Sequence, residues 1–148
     1  TSHVIPAMIR KFIEAREQGA PEVVLWGSGK PSREFLYVED AAEGIVLATE
    51  RYEDGEPVNL GTGQEVRIRE LADLIARLCR YTGATVWDRQ QPDGQPRRCL
   101  DTSRARAGFG FAASTPFEEG LRRTIRWFED TLHSTPPRST KVGMKGRN

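Results

Sequence analysis

The chain has 148 residues, 37% of them hydrophobic and 29% charged, and carries a formal net charge of +1. That is enough for one domain around one core, and it excludes a bulk electrostatic drive toward nucleic acid or an anionic membrane. No apolar run reaches the length of a membrane span and no charged-then-apolar leader opens the chain, so a cytosolic protein is the simplest reading.

The chain begins Thr1-Ser2-His3 without Met, close to the start of a helix, as a piece of something longer would. Ile5, Met8, Ile9, Phe12 and Ala15 recur at helical spacing up to Gln18, with Gly19 beyond. Val23 to Trp26 reads as a short strand, Gly27 to Ser32 as a loop, and Arg33 to Tyr37 as a second strand. Glu39-Asp40 open a helix with Ala41, Ala42, Ile45, Val46 and Thr49 on its apolar side, ending near Tyr52, the two acids suiting its positive end. Pro57 to Leu60 reads as a buried strand, Gly61-Thr62-Gly63 as a tight loop, and Val66 to Ile68 as an extended piece. Leu71, Leu74, Ile75 and Leu78 mark the next helix. Thr85-Val86-Trp87 is β-rich, and the loop "QQPDGQPRR" after it, with two prolines and a Pro-Asp-Gly turn, is expected to be irregular. The last helix has Thr115 as N-cap, Pro116 in its first position and Glu118 closing a capping box. After His133 come four Lys/Arg and no acid, which leaves 18 basic against 21 acidic residues in the body. Residues 134–148 are expected to be a disordered basic tail.

Short strands alternating with helices make the class α/β, with too few strands for a complete doubly wound domain. Cys79 and Cys99 are too few for a zinc set or a disulfide framework and are expected to be reduced and packed. Gly61-Thr62-Gly63 fails the dinucleotide fingerprint, because Val66 stands in the place of the third glycine and an extended segment precedes the helix. None of the three tyrosines has a lysine four positions on, and two histidines are too few for a histidine metal site. What remains is a set of anion-binding parts. Arg33 offers a planar fork of donors suited to phosphate, Trp26 a flat face for a base or sugar, and Arg97-Arg98 end the Pro/Gly loop. Solvated surface charges and a core tryptophan are the competing reading. His3 is either a surface histidine at a helix start or a group suited to proton transfer near neutral pH.

Ser2-His3-Val4-Ile5-Pro6, "VVLWGSGKPSREFLYVED", "PVNLGTG" and QPDGQPRR, in this order, resemble the C-terminal half of the GDP-L-fucose synthase family of extended short-chain dehydrogenase/reductases. The likeness covers residues 1–132. It implies the substrate-binding lobe of an enzyme that epimerises GDP-4-keto-6-deoxy-D-mannose and then reduces it with NADPH, the Rossmann domain and most of the NADPH site lying in the N-terminal half. By resemblance, His3 is the acid of epimerisation beside the nicotinamide. Lys11, Trp26 and Arg33 hold the nucleotide-sugar, Arg98 lies near its pyrophosphate, and Asp93 is a further substrate contact. Residues 1–133 would form the lobe, inactive alone and homodimeric at full length, with neither nucleic acid nor membrane as partner. Arg67 stands where the family often caps the next helix with Ser or Thr, a loss of about 1 kcal/mol unless another group caps it. A relative acting on a UDP- or dTDP-sugar and a non-catalytic nucleotide-sugar binding module are the alternatives.

Overall fold

In the computed structural model, which describes residues 3–134, the first apolar stripe folds as α1 (Val4–Glu17), burying Met8, Ile9, Phe12, Ile13 and Ala15. Gly19, at φ 63°, takes the left-handed conformation that ends it. In β1 (Glu22–Trp26), Val23 and Leu25 are buried while Glu22, Val24 and Trp26 face out, as a period of two dictates. After β2 (Ser32–Glu34) come α2 (Val38–Arg51), β3 (Glu65–Arg67), α3 (Ile68–Leu78) and β4 (Ala84–Asp88), which pairs in parallel with β1, Val24 opposite Val86. Two-residue β5 (Arg97–Arg98), α4 (Ser103–Phe109) and α5 (Phe117–Ser134) complete the order. A second sheet has β2 in the middle, antiparallel to β3 and parallel to β5. The larger apolar cluster joins α1, β1, α3 and α5 around Phe12, Leu71, Ile75 and Ile125; a smaller one gathers Ala105, Phe109 and Phe111.

The α/β class stands, with several local corrections. The second strand stops at Glu34 rather than Tyr37, because Tyr37 is already the N-cap of α2. Pro57 to Leu60 forms no strand; Val58 and Leu60 pack on the smaller cluster without a ladder partner. The Pro/Gly loop is not wholly irregular, since Arg97 and Arg98 pair with Ser32 and Arg33. Helix α4 is an addition to the expected elements. Its start is an Asx turn, the Ser103 N–H donating to Asp101 Oδ1 at 2.9 Å, and Gly110 in the left-handed region ends it. The last helix begins at Phe117, one residue beyond the expected Pro116, and the Thr115 hydroxyl donates to Asp40 Oδ1 at 2.9 Å. It runs through Ser134, so residues 135–148 of the expected tail lie outside the described residues.

The missing cap of α3 is replaced by backbone. The N–H groups of Ile68 and Arg69 donate to the carbonyls of Pro31 and Gly29, each at 2.9 Å, which satisfies two donors that a helix start leaves open. The loop 29–31 therefore does what a Ser or Thr at position 67 would otherwise do.

Helix α2 is inverted relative to its pattern. Its buried residues are Asp40 and Gly44, whereas Val38, Ile45 and Val46 are 69%, 59% and 54% exposed. Gly44 is required on the inner side, since a Cβ there would lie 2.9 Å from the Phe111 ring.

Both cysteines are free, Cys79 buried and Cys99 half-buried rather than packed away. Burial, with a smaller push from Glu129, drives the Cys79 thiol up to about 12. We expect a thiol reagent at pH 8 to modify Cys99 in the folded chain and Cys79 only on unfolding; peptide mapping that found Cys79 labelled first would contradict its burial.

Candidate functional site

Three of the six sequence-predicted residues come together. His3, Arg33 and Arg98 line one cleft of about 510 Å³ with Glu34, Gly61 and Leu100. His3 is the N-cap of α1; its carbonyl accepts the Ala7 N–H at 3.0 Å while its exposed side chain makes no cap bond. Arg33 and Arg98 are register partners on parallel strands, so both side chains leave the same face of the sheet. Among the described residues neither forms an ion pair. Like charges placed opposite each other repel, and a diphosphate between two planar forks would remove that penalty. Arg97, one position earlier, is instead paired with Glu65, its Nε donating to Oε1 at 2.6 Å.

The other three predicted residues do not line this cleft. Lys11 Nζ donates to the Val24 carbonyl at 2.8 Å, against the outer edge of β1. Trp26, at the end of β1, is 70% exposed. Asp93 accepts the Ser28 N–H at 2.5 Å and the Ser28 hydroxyl at 2.7 Å, bonds that hold its carboxyl below the usual range. Asp93 is thus spent on latching one loop to another. The latch still connects the two groups: a Cβ on Gly94 would lie 3.8 Å from Arg33 Nη2, and one on Gly27, beside Trp26, 3.4 Å from Asp93 Cα.

Sequence reasoning misses Glu34. Its Oε1 accepts the N–H groups of Thr62 and Gly63, the latter at 2.9 Å, and its Oε2 accepts the Leu100 N–H at 2.6 Å. Together with Asp93 on Ser28, this closes two of the three Gly-x-Gly stretches, Gly27-Ser28-Gly29 and Gly61-Thr62-Gly63, onto carboxylates of the chain itself. The amides that cradle phosphate in a nucleotide-binding loop are here already taken. The only sequence signal is an acidic residue directly after Arg33, with its partners 28 and 66 positions away.

Burial raises the Glu34 carboxyl, but the bonds from Leu100, Gly63, Cys99 and Thr62 outweigh it and leave the group below its ordinary value. A carboxyl lowered on folding stabilises the fold above its unfolded pKa, and the contribution is lost as pH falls through the folded value. We therefore expect the Thr62, Gly63 and Leu100 amide resonances to move together in an acid titration, with a midpoint below the ordinary glutamate range; a midpoint at or above that range would contradict the bonding.

A larger groove, about 870 Å³, runs between α2 and α5 past Tyr37, Val38, Phe117 and Trp127. None of the six predicted residues lines it. Among the described residues no group of three His, Cys, Asp or Glu is placed to hold a metal ion, and no helix is long and apolar enough to cross a membrane.

Residues 1–61 match the model of the NAD dependent epimerase/dehydratase family. The chain is 46% identical over 86% of its length to GDP-L-fucose synthase 1 of Arabidopsis thaliana, covering 39% of that protein. It is also 46% identical over 86% of its length to the GDP-L-fucose synthase of Escherichia coli strain K12, covering 42% of it. A solved GDP-L-fucose synthetase from Naegleria fowleri bound to NADP superposes with a TM-score of 0.83 at 31% identity, over 90% of this chain and 42% of that one. The resemblance read from the sequence motifs is thus borne out over most of this chain. The chain spans about 40% of the length of the curated relatives it matches.

Proposed function

We propose that this chain supplies the nucleotide-sugar-binding lobe, residues 1–133, of an NADPH-dependent epimerase/reductase that converts GDP-4-keto-6-deoxy-D-mannose to GDP-L-fucose. The observation that carries the proposal is the Arg33–Arg98 register pair, without ion-pair partners among the described residues and sharing a cleft with His3, in a chain whose relatives are named GDP-L-fucose synthases. The two guanidinium groups would clamp the pyrophosphate. His3 would deliver a proton during epimerisation and face the nicotinamide. Trp26 and Lys11, across the Asp93 latch, would meet the outer part of the nucleotide-sugar, with Asp93 holding the loop that separates them from the cleft.

NADPH would supply the hydride. Within this chain His3 would border its nicotinamide, while the Ser28, Thr62 and Gly63 amides, bonded to Asp93 and Glu34, are not free to take its phosphates. The cofactor would be held mainly by a dinucleotide-binding half outside this lobe, and the lobe alone would be inactive. Two free cysteines favour a reducing compartment, the cytoplasm, and the complete enzyme would be a homodimer.

The exposed α2 stripe of Val38, Ile45 and Val46 suits a surface that a further domain covers. Val46→Lys should leave stability within about 0.5 kcal/mol, as for an exposed position, while reducing self-association in sedimentation. A large loss of stability would mean that Val46 is packed in the isolated chain.

Calorimetric titration of the chain with GDP, UDP and NADPH tests the proposal. Preference for GDP over UDP with no NADPH response supports it. Equal GDP and UDP binding points to another nucleotide-sugar, and NADPH binding by this chain alone would overturn the division of labour.

A further inference from the structure

Strand β5 has only two residues, Arg97 and Arg98, and a ladder that short has little holding it in register. What holds it lies at its two ends. Before it, the Ser32 N–H donates to the Pro96 carbonyl at 3.0 Å, and Arg97 is paired with Glu65, whose other oxygen accepts the Ser32 hydroxyl at 2.7 Å. After it, the Leu100 N–H donates to Glu34 Oε2 at 2.6 Å. The other oxygen of Glu34 gathers the Thr62 and Gly63 amides, so one carboxylate joins the exit of β5 to the turn whose Gly61 also lines the cleft. The fit is close: a Cβ on buried Gly61 would collide with Glu34 Oε1.

The bonding also keeps the charge of Glu34 away from the arginines. A carboxylate beside two guanidinium groups that have no ion pair among the described residues, one of them donating to the Ser32 carbonyl at 2.6 Å, would ordinarily pair with one of them and spoil an anion site. Here backbone donors from three residues occupy both oxygens, and among the described residues Glu34 makes no ion pair with Arg33 or Arg98.

We propose that Glu34 is a positioning residue, which holds Arg98 in register beside Arg33 by tying the Leu100 amide and the Gly61–Gly63 turn to the end of β2. The proposal rests on the cleft being an anion site. Its structural half, that the register of β5 depends on Glu34, does not.

The test uses the whole chain, labelled for NMR, as wild type, Glu34→Gln and Glu34→Asp, with inorganic pyrophosphate as the probe. Glutamine puts a donor where donors already point; aspartate keeps the charge but is one methylene too short to reach both segments, and it serves if the glutamine variant does not fold. In either variant the cross-strand contacts between residues 33 and 98 should be lost while those between 33 and 66 persist. Pyrophosphate affinity should fall about tenfold. Adding Arg98→Ala to the Glu34 variant should weaken binding no further than Arg98→Ala alone, because the two changes remove one interaction.

If the 33–98 contacts persist in both variants, the inference is overturned whatever the ligand does. If the contacts are lost but the affinity losses of Glu34 and Arg98 variants simply add, Glu34 shapes the sheet without positioning the arginine, and the inference is likewise overturned. If the contacts are lost and the wild type does not bind pyrophosphate, the anion-site reading fails while the register dependence stands.

Discussion

Replacing Arg33 and Arg98 together by alanine is expected to weaken nucleotide-sugar binding by about 3 kcal/mol or more, since each charge-assisted hydrogen bond contributes roughly 1.5–3 kcal/mol. The two groups are register partners, so they share one ligand and their single-variant losses are not expected to add in full. Arg33→Ala alone should cost about 1.5–3 kcal/mol. In a complete enzyme the loss should fall on the GDP-sugar and leave NADPH binding nearly unchanged, measured as separate dissociation constants. Equal losses of both ligands would mean that the arginines support the fold. Folding should survive the double change, because it removes two like charges from neighbouring strands.

The largest expected loss of stability outside the apolar core is at Asp40. This residue is 3% exposed and lies in the first turn of α2. Its carboxylate accepts the Ser114 N–H at 3.4 Å, the Thr115 N–H at 3.2 Å and the Thr115 hydroxyl at 2.9 Å, just before α5 begins. One negative charge therefore serves the positive ends of two helices at once. Asp40→Ala would leave two backbone donors and two hydroxyls to find other partners, each unsatisfied donor costing about 1–3 kcal/mol. We expect a loss of about 3 kcal/mol or more in urea unfolding, with Asp40→Asn recovering roughly half because one acceptor oxygen remains. A loss below about 1 kcal/mol would mean that water replaces the carboxylate.

Local periodicity makes some of this architecture legible. Helix α1 is readable because its apolar spacing and its buried side coincide. Helix α2 reads inside out: its Ile and Val stripe is exposed, and its inner side is made by an aspartate that bonds ahead of another helix, a glycine that admits Phe111, and the half-buried Leu47 and Ala48. Apolar pattern shows which side of a helix seeks burial, and it does not show whether the surface to bury it against is present. Residues 57–60 fail as a strand for a related reason, since a strand exists only with a neighbour to bond. Helix α4 escapes notice because a seven-residue helix with two buried positions, Ala105 and Phe109, shows almost no period.

The site divides along the same line. Residue type and motif point to Arg33, Arg98 and His3, and the fold brings them to one cleft. Asp93, expected as a substrate contact, lies outside that cleft and latches two loops together through its bonds to Ser28. Glu34 and the carbonyls of Gly29 and Pro31 act on partners far away in sequence or through backbone, where spacing carries no signal.

The Gly61–Gly63 turn closed by Glu34 at the cleft, and the Ser28 turn latched by Asp93 beyond it, have a consequence for how a ligand would arrive. Both are bonded by anions that the chain itself supplies, so a visiting nucleotide would meet loops already set and would not bear the entropy of assembling them. Association should then resemble the docking of two rigid bodies, with little backbone change between the free and bound cleft.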